Sequence, residues 1–154
     1  MNMNQVTLPA NDMGKTTEFY RLMGFLQIVD TPHYARFVCT EGNATFSVSL
    51  NETAVENPSV IYFEHEDLDG LVSALKARGI VFDQDPAEMS YLWREAILHD
   101  PSGNKIKLYW AGENRLYPPW RVERRAPVSL PVEPCRPHML VRGVSQREQD
   151  VVDD

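Results

Sequence analysis

Glu64 and Glu95 are the residues of this chain best suited to acid–base work. Both fall on stretches that read as strands, and a carboxylate held on a strand facing a groove can act as a general base. Burial would raise the Glu64 pKa, and a cation such as Lys107 or Arg36 beside it would lower it again. The same residues permit a plain alternative, in which Glu64 and Lys107 form a structural ion pair across neighbouring strands. Tyr62, Tyr109 and Trp93 supply flat apolar surface, while Gln5, Arg36, Arg94 and Lys107 supply hydrogen-bond donors and charge. An aromatic ring next to a guanidinium, as in Trp93-Arg94 with Tyr91 close by, suits a flat or anionic ligand at a groove mouth. Read without function, Trp93 is hydrophobic cover at a strand start.

Other chemistries lack their residues. There is no G-x-S-x-G elbow and no G-x-G-x-x-G run. Gly14-Lys15-Thr16 matches the end of a phosphate-binding loop, but Pro9 stands where that loop needs its first glycine, so the stretch reads as an ordinary first helical turn. The four histidines, His33, His65, His99 and His138, form no close pair with ligand spacing. His99 shares a strand phase with Glu95. A divalent-metal site would have to be rebuilt from His99, Glu95, Glu64 and Gln5.

Composition narrows the class further. Apolar residues make up 43% and charged residues 24%, a globular profile. A net charge of −7 argues against nucleic-acid or anionic-membrane partners. No apolar run approaches the ~18 residues of a membrane span, and no signal-peptide pattern is present. Two cysteines, Cys39 and Cys135, do not make a disulfide framework, so a cytoplasmic protein is expected.

The elements that would position these side chains occur twice. A strand around 5–8, Asp12, a helical stretch and Gly24 are answered by a strand around 60–65, Asp67, a helical stretch and Gly79. The two Asp are 55 residues apart, and so are the two Gly. The spacing predicts helices over 13–23 and 68–78, capped by Asn11 or Asp12 and by Asp67, and stopped by the glycines. Leu68, Leu71, Val72 and Leu75 make the apolar stripe of the second helix, and Phe19, Tyr20, Leu22 and Met23 that of the first. Further strands are predicted at 25–30, 34–39, 44–50, 80–83, 93–99 and 105–110. Each half therefore reads βαβββ, with modules at about 5–51 and 60–111 in a domain spanning 1–120. Six of the eleven prolines fall between Pro118 and Pro137, so 121–154 reads as a Pro-rich arm and flexible tail.

Strand alternation separates two faces. Val6, Leu8, Ile61, Phe63, Ile106 and Leu108 form an apolar set that should carry the helices, with Phe37 and Leu98 in phase. The opposite set holds Gln5, Thr7, Val60, Tyr62, Glu64, Lys105, Lys107 and Tyr109, with Tyr34, Arg36, Glu95 and His99 in phase. Two curved half-sheets set side by side would enclose this polar set in a cleft. Trp110 and Trp120 read as packing residues, core or dimer contact.

Val6-Thr7-Leu8 with Asp12, Phe19-Tyr20 and Gly24-Phe25 resembles the module opening of the vicinal oxygen chelate superfamily, which includes glyoxalase I, bleomycin-resistance proteins and extradiol dioxygenases. Tyr62-Phe63-Glu64 with Asp67-Leu68-Asp69 resembles its second module opening, and Asp100-Pro101-Ser102-Gly103-Asn104 its closing hairpin. Ala111-Gly112-Glu113-Asn114-Arg115 with Pro118-Pro119-Trp120 is similar to a run in bacterial members. The resemblance implies an α+β fold of two tandem βαβββ modules, a curved mixed sheet around a cleft with helices outside, and a homodimer sharing or completing that groove. The metal positions it implies fall on Gln5, Val60, Lys107 and a site near Phe46 or Ser47, where only Gln5 could coordinate. The expectation is a metal-free binder of a small organic ligand, without cofactor, using Gln5, Arg36, Tyr62, Trp93, Arg94, Lys107 and Tyr109, with Glu64 and Glu95 as candidate catalytic groups. The alternative is a lyase, isomerase or dioxygenase with a displaced divalent metal.

Overall fold

Asp12 and Asp67 cap the two helices that the duplication predicts. In the computed structural model, which describes residues 2–53 and 56–122, the Asp12 carboxylate accepts from the Lys15 N–H at 2.9 Å and that of Asp67 from the Gly70 N–H at 3.0 Å. Helix α1 spans Met13–Leu22 and α2 spans Leu68–Ala77. Gly24 and Gly79 follow them with φ of 101° and 90°, the left-handed conformation that lets a chain leave a helix at little cost.

The strands are β1 (Gln5–Ala10), β2 (Leu26–Asp30), β3 (Tyr34–Val38) and β4 (Thr45–Leu50) in the first module. In the second they are β5 (Val60–Glu64), β6 (Gln84–Glu88), β7 (Arg94–His99) and β8 (Lys105–Trp110). They form two four-stranded mixed sheets in the orders β1-β4-β3-β2 and β5-β8-β7-β6. β1 runs parallel to β4 and β5 parallel to β8, and the other pairs are antiparallel. This is the tandem βαβββ fold, each sheet flanked by a helix. A 3-10 turn, Gly112–Arg115, follows β8.

One strand differs from expectation. The stretch 80–83 is irregular, although Ile80 is buried, and the strand is Gln84–Glu88. Its sequence, Gln-Asp-Pro-Ala-Glu, carries no apolar alternation. It pairs on one side only, through a register shift between Gln84 and Ala87 that spans Pro86. An edge strand with a bulge is where proline is tolerated and where hydrophobic patterning is weakest.

The apolar phase packs as the alternation requires. Leu8, Phe37, Phe46, Val48, Leu98, Ile106 and Leu108 are buried with Tyr20, Leu68, Val72 and Leu75 of the helices, and Ile61 and Phe63 pack against them. Val6 is the departure, being partly exposed beside β5. Helix α1 also departs in detail: Leu22 is exposed, and Thr16 and Thr17 take the buried face with Tyr20. The Thr17 hydroxyl donates back to the Met13 carbonyl at 2.8 Å, which satisfies its polar atom in the interior.

The modules share this core. Phe63 of β5 meets Phe25 and Phe46 with ring centroids 4.6 and 5.4 Å apart. The Tyr20 hydroxyl donates to the Asp100 carboxylate at 2.8 Å, and the Asn104 amide donates to the Pro9 carbonyl at 2.8 Å. Trp110 and Trp120 are not core residues, being 38% and 57% exposed. Residues 123–154, all of the predicted arm but its first two positions, lie outside the described residues, His138 and Cys135 among them. Among the described residues no helix is long and apolar enough to cross a membrane, and Cys39 is a free thiol.

Candidate functional site

The polar phase of the strands forms two clusters, one on each sheet. The cluster on the second sheet is built on the β5-β8-β7 registers, which set Tyr62 beside Lys107, Glu64 beside Tyr109, and Glu95 beside Tyr109. Trp93, just before β7, stacks on Tyr109 with centroids 4.7 Å apart and planes 20° from parallel. Tyr62 meets both rings edge-on at 6.2 and 5.7 Å, and Tyr91 meets Trp93 edge-on at 5.9 Å. Such stacked and T-shaped contacts hold the rings in defined positions and contribute beyond the area they bury.

Beside these rings sits a charge pair. Glu95 is 1% exposed, and the Lys107 ammonium stands 2.8 Å from its Oε2. That approach is an ion pair without hydrogen-bond alignment at Oε2. Lys107 also lies 5.5 Å from the centre of the Tyr62 ring, a cation–π distance. Burial disfavours the ammonium, but the Glu95 carboxylate outweighs it and raises the Lys107 pKa above the usual lysine value. Burial also raises the Tyr91 phenol, helped by the Glu95 charge, and raises the Tyr109 phenol, helped by Glu64.

Glu64 pairs with Arg115, whose Nε lies 3.5 Å away, and not with Lys107. The ion pair that the sequence suggested across neighbouring strands thus exists with different partners: Lys107 takes Glu95, on the far side of β8. Arg94 is not part of this cluster. It alternates to the opposite face from Glu95 and forks onto Asp69 of α2, with Nε and Nη2 each 2.8 Å from a carboxylate oxygen, and it also reaches Glu88. That pairing holds the Asp69 carboxyl below the usual carboxylate range.

The first sheet carries the other cluster. Gln5 donates to the Ser47 hydroxyl at 2.7 Å, and Ser47 and Tyr34 share a hydrogen bond of 2.6 Å. Arg36 sends Nε and Nη2 to the Tyr34 oxygen at 3.1 and 2.8 Å. Arg36 and Gln5 thus belong to one network. Sequence reading did not place Ser47 or Arg115 in these clusters, and it noted Tyr91 only as a neighbour of Trp93. Arg115 follows the last strand, where periodicity gives no face, and Tyr91 lies in a turn. Ser47 carries no charge to draw attention.

The positions that the resemblance implies for a metal do not fit one. Val60 has no donor atom, Lys107 is an ammonium already paired with Glu95, and Gln5 is hydrogen-bonded to Ser47 and Thr45. His99 lies on the exposed end of β7, its Nδ1 2.6 Å from Asp83, away from Gln5 on the other sheet. Among the described residues no group of three or more His, Cys, Asp or Glu side chains is close enough to hold a metal ion.

Comparison with known proteins matches this architecture. A protein from Sphaerobacter thermophilus, a member of the glyoxalase/bleomycin resistance protein/dioxygenase superfamily, is 22% identical over 71% of this chain and 97% of its own, with a TM-score of 0.61. A glyoxalase/bleomycin resistance protein/dioxygenase from Nocardioides is 19% identical over 80% of this chain and 90% of its own, with a TM-score of 0.64. A bleomycin-binding protein solved in complex with bleomycin is 18% identical over 71% of this chain and 98% of its own, with a TM-score of 0.59. No curated protein matches the chain. At these identities the structures speak for the fold alone, but the sequence profile of the Glyoxalase/Bleomycin resistance protein/Dioxygenase superfamily matches residues 2–108. With the tandem βαβββ modules, that match establishes that the chain belongs to this superfamily.

Proposed function

We propose that this protein binds a small organic ligand without a metal, against the aromatic and charged wall of its second sheet. The observation that carries this reading is the set of rings Tyr62, Tyr91, Trp93 and Tyr109 gathered around the Lys107–Glu95 pair. Rings locked edge-to-face and stacked present a rigid π surface that loses little entropy on binding. The Lys107 ammonium, held protonated beside them, offers donors to a carbonyl or an anion, so a flat ligand bearing an oxygen acceptor is the chemistry the cluster suits. Glu64 and Arg115 would stand at the side of the cluster. The solved relative that holds bleomycin supports a binding role within the same fold. A homodimer that shares or completes the groove is part of the proposal, with Gln5 and Arg36 supplying polar contacts from the first sheet.

Tryptophan emission tests it directly. A panel of aromatic carboxylates and aromatic cations, titrated into protein purified without chelators, should include ligands that quench Trp93 saturably. Trp93→Ala should lower their affinity by about tenfold or more, the loss of one aromatic anchor. A stoichiometric divalent metal in the purified protein, or saturable binding unchanged in Trp93→Ala, would overturn the reading.

A further inference from the structure

The first-sheet cluster poses a problem of proton placement. The Gln5 amide has its orientation set by neighbours on both sides: its Nε2 lies 3.2 Å from the Val6 carbonyl, and its Oε1 accepts from the Thr45 hydroxyl. Reversing the amide would put two acceptors against each other at Val6. Nε2 is therefore the donor to Ser47 Oγ at 2.7 Å. Ser47 is 0% exposed. Its only other hydrogen-bond neighbour among the described residues is the Tyr34 oxygen at 2.6 Å.

With Tyr34 neutral, one proton has no place. If the phenol donates to Ser47, the Ser47 hydroxyl proton is buried with no acceptor, at the cost of an unmade hydrogen bond. If Ser47 donates instead, the phenol oxygen receives three donors, from Ser47, Arg36 Nε and Arg36 Nη2, while still carrying its own proton. A phenol oxygen has two lone pairs for that work, whereas a phenolate accepts all three donors and leaves no hydroxyl proton between Ser47 and Tyr34 without an acceptor. The fork of a guanidinium on one oxygen is also the geometry that arginine uses for anions.

We propose that Tyr34 is an acid–base residue, a phenol made ready to ionise by Arg36 and by a relay from Gln5 through Ser47, and that it exchanges protons with small protic ligands at the first sheet. The ligand's X–H bond breaks, its proton forms the O–H bond on Tyr34, and the electron pair stays on the ligand as an anion. The Arg36 N–H groups not committed to Tyr34 can hold that anion.

The surroundings agree. The face around Tyr34 is built by Gln5 and Thr7 of β1, Thr45, Ser47 and Ser49 of β4, Arg36 and Val38 of β3, and Val29 of β2. Arg36 is the charged group among them. Asp30 pairs with Ala35 on the other phase, and His33 lies in the preceding turn. Among the described residues no carboxylate lies within ion-pair distance of Arg36. The hydrogen bond from Ser47 and the Arg36 charge together hold the Tyr34 pKa below the usual phenol value. Tyr34 is only partly buried, so a ligand can reach it.

The test is an ultraviolet titration of tyrosinate on ligand-free protein, so it stands or falls apart from the ligand proposed for the second sheet. Of the six tyrosines, one should ionise in a separate step below the ordinary phenol value of about 10. Tyr34→Phe should remove one tyrosinate equivalent from that step. Arg36→Gln and Ser47→Ala should each keep the equivalent but move it to higher pH. Tyrosine ring-carbon NMR of the unaltered chain gives the same reading without a variant. A titration with no step below the ordinary range, or a step that survives in Tyr34→Phe, would overturn the proposal.

Discussion

Lys107 and Glu95 show how a sequence can disclose residues but not their partners. The alternation of β5, β7 and β8 was enough to bring Tyr62, Glu64, Glu95, Lys107 and Tyr109 to one face, because a period of two leaves no other choice. It could not say that Lys107 turns to Glu95 and leaves Glu64 to Arg115, since both carboxylates stand beside β8 and Arg115 lies beyond the last strand. Nor could it say that Arg94, which the same alternation sets on the opposite face, is taken up there by Asp69 of α2. The Lys107–Glu95 pair carries a stability consequence. Lys107→Met leaves a carboxylate buried without its counter-charge and should destabilise the fold by on the order of 3 kcal/mol in denaturant titrations. Glu95→Gln added to it removes the stranded charge and should recover more than half of that loss. A double variant no more stable than Lys107→Met would mean that the pair carries little of the energy.

At the scale of elements, the two helix starts look alike in sequence and differ in the space around their glycines. Each begins with a capping Asp, and each has a glycine in its first turn, Gly14 and Gly70. Glycine in a helix costs roughly 0.5–1 kcal/mol relative to alanine. A Cβ on Gly14 would sit 3.6 Å from its nearest neighbour, the Asp12 carboxylate, which is ordinary contact. A Cβ on Gly70 would overlap the Asp67 carboxylate that caps α2, so the cap would have to move. Loss of such a cap costs about 1 kcal/mol. Gly14→Ala should therefore raise the melting temperature by a few degrees, and Gly70→Ala should leave it unchanged or lower it. Equal gains at both sites would show that the Asp67 carboxylate relaxes freely. The duplicated helices were legible because caps, stops and apolar stripes are local signals. The edge strand Gln84–Glu88 was not, because its pairing is imposed by β7 against its own composition.

At the scale of the molecule, the turn that closes the second module also fastens the first. Asp100 is buried and accepts from the Tyr20 hydroxyl of α1, from the Asn104 side chain, and from the backbone N–H groups of Ser102 and Asn104. The hydroxyls of Ser102 and Thr16 lie 2.8 Å apart, which adds a second tie between the modules. The sequence showed the Asp-Pro-Ser-Gly-Asn turn as a hairpin. Its grip on α1 was invisible, because a contact 80 residues apart in the chain leaves no periodic trace. Asp100→Ala strands several donors and should cost about 2–4 kcal/mol in denaturant titrations. The Tyr20 side of this clasp sets the response to alkali. Burial, with the Asp100 charge next to the phenol, raises the Tyr20 pKa far above its ordinary value. In the unfolded chain the phenol ionises near pH 10, so the unfolded state loses its proton while the folded state keeps it. The resulting stability is intact below about pH 10 and falls as pH climbs above it. Tyr91 and Tyr109, also raised, act in the same direction, and Tyr34, lowered, acts against them. Tyr20→Phe should start less stable by about 1–2 kcal/mol, having lost the bond to Asp100. It should then lose stability less steeply between about pH 9 and pH 11, because one proton no longer leaves on unfolding. Denaturation midpoints across that range decide the point, and parallel curves for the two proteins would mean that Tyr20 is not the group that makes alkali unfold the chain.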